Sequence, residues 1–235
     1  SSVVGNSQSL WLRDADGGNQ KQLDTGDGSK PIISADGHWM AFSSSRSGDM
    51  QLWRMDLSSN AVKQLTNESL YGGQSFTLDG QWIVYVRRFN DMLSLWKMPL
   101  EGGTPVQLSD QLAAVPAVSP DGKLIAFLSR DEQRRRIIGV MTYEGGQMLK
   151  TFALPPTYLQ QAGLRWLPDG RTITYADTRS GVSNIWGQPL DGGAPKQLTN
   201  FQSEQIRAFA WSRDGQLALS RGVVTSDVVL ITEFK

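Results

Sequence analysis

Asp-Gly pairs recur at near-equal steps, with aromatic residues in fixed register behind them and a Gly-Gly then Gln-Leu ending in most units. Together these predict an all-β fold, a β-propeller of four-stranded antiparallel blades. The pairs begin at Asp36, Asp79, Asp121, Asp169 and Asp214, giving steps of 43, 42, 48 and 45 residues. Six residues after each Asp stands Phe42, Tyr85, Phe127, Tyr175 or Ser220, and seventeen after it Trp53, Trp96, Ile138, Trp186 or Ile231. Gly102-Gly103, Gly145-Gly146 and Gly192-Gly193 follow, with Ser58-Ser59 standing in once, and then Gln64-Leu65, Gln107-Leu108 and Gln197-Leu198. Tandem units of roughly 40–45 residues, each too small to bury both of its faces, must stack in a ring.

Each unit resolves into strands A to D. Strand A runs into the Asp-Gly turn, as in Pro31-Ile32-Ile33-Ser34-Ala35-Asp36-Gly37, where glycine supplies the positive φ of a tight hairpin. Strand B follows, as in Trp39 to Phe42, alternating large residues on one face (Met40, Phe42; Ile83, Tyr85) with small ones on the other (Ala41, Val84). Strand C carries Leu52-Trp53 or Leu95-Trp96, and strand D ends in Gln-Leu. No sustained 3.6-residue period appears, so few helices are expected.

In chain order, residues 1–24 are expected to supply strands C and D of a partial blade. Residues 31–66, 74–109, 116–152 and 163–200 are expected as full blades, and residues 207–235 as strands A, B and C of a closing blade, including a strand C from Val228 to Thr232. Tail strands A and B joined to head strands C and D close a ring of five blades. A six- or seven-bladed ring, of which this chain is a fragment, follows instead if one or two further blades precede residue 1. An open ring leaves edges able to pair with a second copy.

Composition removes several function classes. The 23 basic and 23 acidic side chains balance to zero, which argues against nucleic acid as the partner. There is no cysteine and one histidine, His38, so thiolate chemistry and Cys- or His-rich metal centres are excluded within the chain. No apolar run approaches the roughly 18–20 residues of a membrane helix, so no membrane insertion is expected. Gly26-Asp27-Gly28-Ser29-Lys30 lacks the Gly-Lys-Ser/Thr of a phosphate loop, and Asp14-Ala15-Asp16-Gly17 lacks the distal Glu of a calcium loop. No Gly-x-Ser-x-Gly elbow is present. No catalytic residue, cofactor or metal is expected.

The stretches Ser119-Pro120-Asp121-Gly122-Lys123-Leu124-Ile125-Ala126-Phe127 and Leu95-Trp96-Lys97-Met98-Pro99-Leu100-Glu101-Gly102-Gly103 resemble the WD40-like repeats of TolB-type propellers. The same repeat builds the propellers of dipeptidyl-peptidase-like proteins. The resemblance spans nearly the whole chain. It implies a bacterial, periplasmic or otherwise extracytoplasmic recognition module, binding a protein or peptide as the C-terminal part of a larger signalling or envelope protein. Two alternatives stand beside it: the accessory propeller of a serine peptidase whose catalytic domain lies elsewhere, and a small-ligand or glycan sensor using the central channel.

Candidate binding residues lie on the face formed by the B–C and D–A loops. Arg46, Arg88, Arg130, Arg179 and Arg221 recur just past strand B, either as a carboxylate-reading ring or as part of the repeat tied to loop carboxylates. Arg134-Arg135-Arg136 is local to one unit and reads as a solvated hairpin tip compensated by Asp131 and Glu132. The longest D–A loop, residues 152–161, offers Leu154, Tyr158 and Leu159 as a contact surface, and the loop of residues 67–72 adds Tyr71.

Overall fold

A computed structural model describes residues 2–4, 7–14, 18–68 and 70–223. The architecture is that of a β-propeller built from antiparallel four-stranded blades. Blade 1 comprises β4 (Ser29–Ile33), β5 (Trp39–Ser44), β6 (Gln51–Asp56) and β7 (Val62–Gln64). Blade 2 comprises β8 (Leu70–Phe76), β9 (Trp82–Phe89), β10 (Met92–Pro99) and β11 (Val106–Gln107). Blade 3 is β12 (Ala114–Val118), β13 (Leu124–Arg130), β14 (Arg136–Thr142) and β15 (Lys150–Ala153). Blade 4 is β16 (Leu164–Trp166), β17 (Thr172–Arg179), β18 (Val182–Pro189) and β19 (Lys196–Gln197). In every blade the strands are ordered as in the chain, A-B-C-D.

Four complete blades, rather than five or six, are present among the described residues. They are flanked by two smaller sheets. At the head, β1 (Ser2–Val4), β2 (Ser7–Leu12) and β3 (Lys21–Leu23) form three strands in that order; at the tail, β20 (Gln205–Trp211) and β21 (Leu217–Gly222) form two. A blade shared between the termini requires a tail strand beside β2. That edge carries β1 instead, with Val3 opposite Gln8 and Val4 opposite Ser7. The strand expected at Val228 to Thr232 lies outside the described residues.

Period-2 alternation decides how the sheets stack. On β9, Ile83 and Tyr85 pack with Ala41 and Leu52 of blade 1, while Val84 and Val86 turn the other way onto Ile125 and Phe127 of blade 3. On β13, Ala126 and Leu128 meet Leu164, Ile173 and Tyr175 of blade 4. The end sheets join in the same way: Leu10 and Leu23 pack with Phe42, and Ile206 and Phe209 with Ala176 and Ile185. Phe42, Ile125, Phe127 and Ile173 are fully buried. The core is therefore a series of slabs between sheets, as expected where every sheet is packed on both faces.

The Asp-Gly turns are held by one repeated device. Ser34 Oγ donates to Asp36 Oδ1 (2.5 Å) and accepts from the Trp39 N–H (2.9 Å), while Gly37 takes φ 77°. Thr77 with Asp79, Ser119 with Asp121 and Ser212 with Asp214 repeat the side-chain bond. The hydroxyl bonds hold the Asp36, Asp121 and Asp214 carboxyls below the ordinary carboxylate range. His38 sits exposed on the first turn.

Candidate functional site

The A strands of five consecutive sheets line one cavity of about 890 Å³. They are stitched to one another by side chains. Gln74 Nε2 donates to Lys30 O (2.5 Å), Ser75 Oγ accepts from the Val118 N–H (3.0 Å), and Trp166 Nε1 donates to Ala117 O (2.8 Å). The wall is largely apolar, with Ile33, Leu78, Trp166, Trp211 and prolines 31, 116, 120 and 168. Ile33 and Leu78 are each about half exposed there. Arg165 and Arg213 also line the cavity, and no carboxylate does.

Arg165 is placed by its backbone neighbours. Its Nη1 donates to Leu164 O at 2.7 Å, and a Cβ built on Gly163 (φ 79°) would stand 2.7 Å from that nitrogen. That φ requires glycine, and the guanidinium curls into the space that the missing Cβ leaves. Burial pushes the Arg165 guanidinium down from its ordinary value, with Tyr158 opposing weakly. A guanidinium stays protonated, so the shift expresses a desolvation cost that an anion in the cavity would relieve. Sequence reading missed this residue. Its only signal was an arginine between Leu164 and Trp166 on an inner strand.

The arginines past strand B do not line this cavity. Most are clamps within the repeat. Arg46 stacks over Trp53 (5.2 Å to the ring centroid) and reaches the Asp24 carbonyl at 3.0 Å and its carboxylate at 3.5 Å. Arg179 stacks over Trp186 (4.3 Å) and bonds Asp177 (2.8 Å). Arg221 stacks over Phe201 (3.8 Å) and pairs with Glu204 (3.5 Å). In blade 2 the clamp is Arg87, not the exposed neighbour Arg88: Arg87 lies over Trp96 (4.5 Å) and pairs with Glu68. Arg130 of blade 3 has no such partners; its Nη1 donates to Arg134 O at 2.7 Å.

The proposed loop contacts are reassigned by burial. Leu154 and Tyr158 are 8% and 4% exposed, packed with Leu128, Ile138 and Tyr175 between blades 3 and 4, so they are core and not contact surface. Leu159, half-buried, packs toward β20. Tyr71 lies in β8 and not in a loop. The long loop does expose Pro156, along with Thr157, Gln160 and Gln161, and Pro156 lies beside the β13–β14 hairpin in a second, separate groove of about 550 Å³. Among the described residues no helix is long and apolar enough to cross a membrane.

Comparison with known proteins agrees with this architecture. The TolB beta propeller domain family matches residues 1–155, and the chain belongs to that family. TolB from Acinetobacter baumannii superposes with a TM-score of 0.70 at 20% identity, over 88% of this chain and 52% of that one. A putative TolB from Agrobacterium tumefaciens gives 0.71 at 17% identity, over 93% of this chain and 84% of that one. In sequence, Tricorn protease homolog 1 of Streptomyces coelicolor is 30% identical over 104 residues, 43% of this chain. That stretch is 9% of the relative's own length.

Proposed function

We propose that this propeller domain is a non-catalytic recognition module that holds a protein or peptide segment at its axial cavity. The observation that supports the reading is the cavity wall: exposed Ile33 and Leu78, two tryptophans and four prolines, with two guanidiniums and no carboxylate among the lining residues. Such a wall suits an apolar segment carrying one acidic group, with Arg165 placed to read the acid. The volume is in the range of established ligand clefts, roughly 300–1,000 Å³.

The test is selection of binders from a displayed peptide library, followed by calorimetry on the selected peptide. Ile33→Asp and Leu78→Asp replace exposed side chains, so folding should persist while affinity falls tenfold or more. Undiminished affinity in both variants overturns the cavity as the site. Hydrolytic turnover that survives repurification of the chain overturns the non-catalytic reading.

A second reading, a propeller that delivers substrate to a hydrolase domain, is favoured by the identity to Tricorn protease homolog 1. It predicts that a Ser-His-Asp hydrolase domain is encoded in the same polypeptide, and that the selected peptides are its substrates.

A further inference from the structure

Blade 3 carries an arginine cluster for which the fold provides too few partners. Its β13–β14 hairpin places Arg130 directly opposite Arg136, two like charges on neighbouring strands. Such a pair destabilises a ladder, and the corresponding ends of the other blades avoid it: Ser44 faces Gln51, Arg88 faces Leu93 and Arg179 faces Val182. Between the two strands the tip adds Arg134, held at φ 62°, and Arg135. Only Arg135 is compensated, by Asp131 at 2.7 Å. Burial pushes the Asp131 carboxyl up, but hydrogen bonds from the Arg135 N–H and guanidinium outweigh it and hold the group below its ordinary value. The Arg134 and Arg136 side chains make no hydrogen bond or ion pair with a described residue. Glu132 does not line the groove.

Repeat logic explains why these charges are free. Where the other blades pair a tryptophan with the aromatic of strand B (Phe42 with Trp53, Tyr85 with Trp96, Tyr175 with Trp186), blade 3 pairs Phe127 with Gly139, which has no side chain. With no ring to lie on, the guanidinium of Arg130 turns to its own hairpin. Opposite the cluster, strand β15 ends at Ala153 and the chain runs on through Leu154, Pro155 and Pro156, and these close the groove of about 550 Å³. Two consecutive prolines lack the N–H groups needed to extend a ladder, so this wall offers apolar surface and not a strand edge.

From this we infer that the blade 3 groove binds an acidic peptide segment of a partner protein, its carboxylates on Arg130, Arg134 and Arg136 and an apolar side chain on Pro156. Charge complementarity selects the occupant: four guanidiniums face a single, already paired carboxylate. The planar forks suit carboxylates bidentately, and the proline wall rewards an apolar side chain that a free phosphate or a nucleic-acid backbone lacks. The groove shares no lining residue with the axial cavity, so it stands or falls independently of the function proposed above.

The probe is a fluorescein-labelled nonapeptide of Glu and Asp with one central Leu, titrated into the full chain by anisotropy at low salt. Binding is expected, weakening as salt rises, with the Gln/Asn version of the peptide inert. The double variant Arg134→Glu/Arg136→Glu should weaken binding about tenfold or more. Pro156→Asp should weaken it severalfold, whereas Arg171→Glu, an exposed turn residue elsewhere, leaves it within about twofold. Melting curves check that each variant is folded, and the probe should raise the melting temperature of the wild type and not of the double variant. Equal losses in the double variant and in Arg171→Glu overturn the proposal, as does the absence of binding. Inorganic polyphosphate or oligothymidylate binding as tightly as the peptide makes the cluster a general anion site and overturns it also.

Discussion

Blades 2 and 3 are neighbours with the same strand order and the same Asp-Gly turn, yet their B–C ends are organised oppositely. In blade 2, Arg87 lies over Trp96, with Phe89 edge-on to that ring (5.5 Å), and reaches Glu68 of the preceding loop. In blade 3, Gly139 stands opposite Phe127 where the ring would be, its missing Cβ leaving room for the Phe127 ring, and four arginines crowd a hairpin with one paired aspartate. The difference extends one residue further along strand C. Lys97 of blade 2 packs against Tyr143 (4.0 Å) and Glu144 (3.2 Å), latching blade 2 to blade 3. The matching residue of blade 3, opposite Ala126 as Lys97 is opposite Val84, is Val140, which is buried and carries no charge. A side chain that is structural in one repeat is released in the next when its aromatic support is lost. The arginine alone does not say which; its platform does.

The comparison can be broken first at what the two blades share. Phe127→Ala and Tyr85→Ala each empty the same core position and should cost about 3–5 kcal/mol, read by chemical denaturation. A much smaller loss in blade 3 would mean that its core is not equivalent to that of blade 2. Next comes strand C: a Cβ on Gly139 would stand 2.7 Å from both Phe127 Cζ and Met148 Sδ. Gly139→Ala should therefore cost about 1–3 kcal/mol by overpacking, with the ring yielding less readily than the thioether.

The clamp itself gives the sharpest contrast. Arg87→Ala removes a stacked, mostly buried guanidinium and should lower stability by about 1–2 kcal/mol. Arg130→Ala should stay within about 0.5 kcal/mol, because it also relieves the like-charge pair with Arg136. Equal costs would dissolve the distinction between clamp and free cluster.

The smallest effect is on acid stability. At the C–D turn of blade 1, hydrogen bonds from the Ser58 hydroxyl and from the Ser59 and Ser58 N–H groups hold the Asp56 carboxyl at about 2. Its folded-state value is depressed, so its contribution is complete above the ordinary value of 3.8 and is lost as pH falls toward about 2. Asp56→Asn should flatten that part of the acid-unfolding profile. The corresponding position of blade 3, Thr142, bonds the Gly145 carbonyl through a hydroxyl and should contribute no such slope.

Local chemistry made most of the blade plan legible. Asp36-Gly37 and its repeats fixed the A–B hairpins, and alternation along Trp39 to Phe42 or Leu124 to Phe127 announced sheets buried on both faces. The candidate site was read less well, since its residues are defined by neighbours distant in sequence. Leu154 and Tyr158 looked like an exposed apolar loop because their hydrophobicity is evident and their burial against Tyr175 is not. Arg88 was chosen over Arg87 because adjacent residues on a strand point to opposite faces and the sequence does not say which one meets Trp96.

The sequence by itself thus determined the repeat, the turn chemistry and the two-sided packing, all set by steric and hydrophobic rules acting over a few residues. The tertiary structure decided the rest. It placed β1 beside β2 where a tail strand was expected, gathered five inner strands around Arg165, and left blade 3 with four arginines around one paired aspartate. These outcomes depend on which surfaces meet and which charges find a counter-charge across blades, energies that no local stretch of sequence contains.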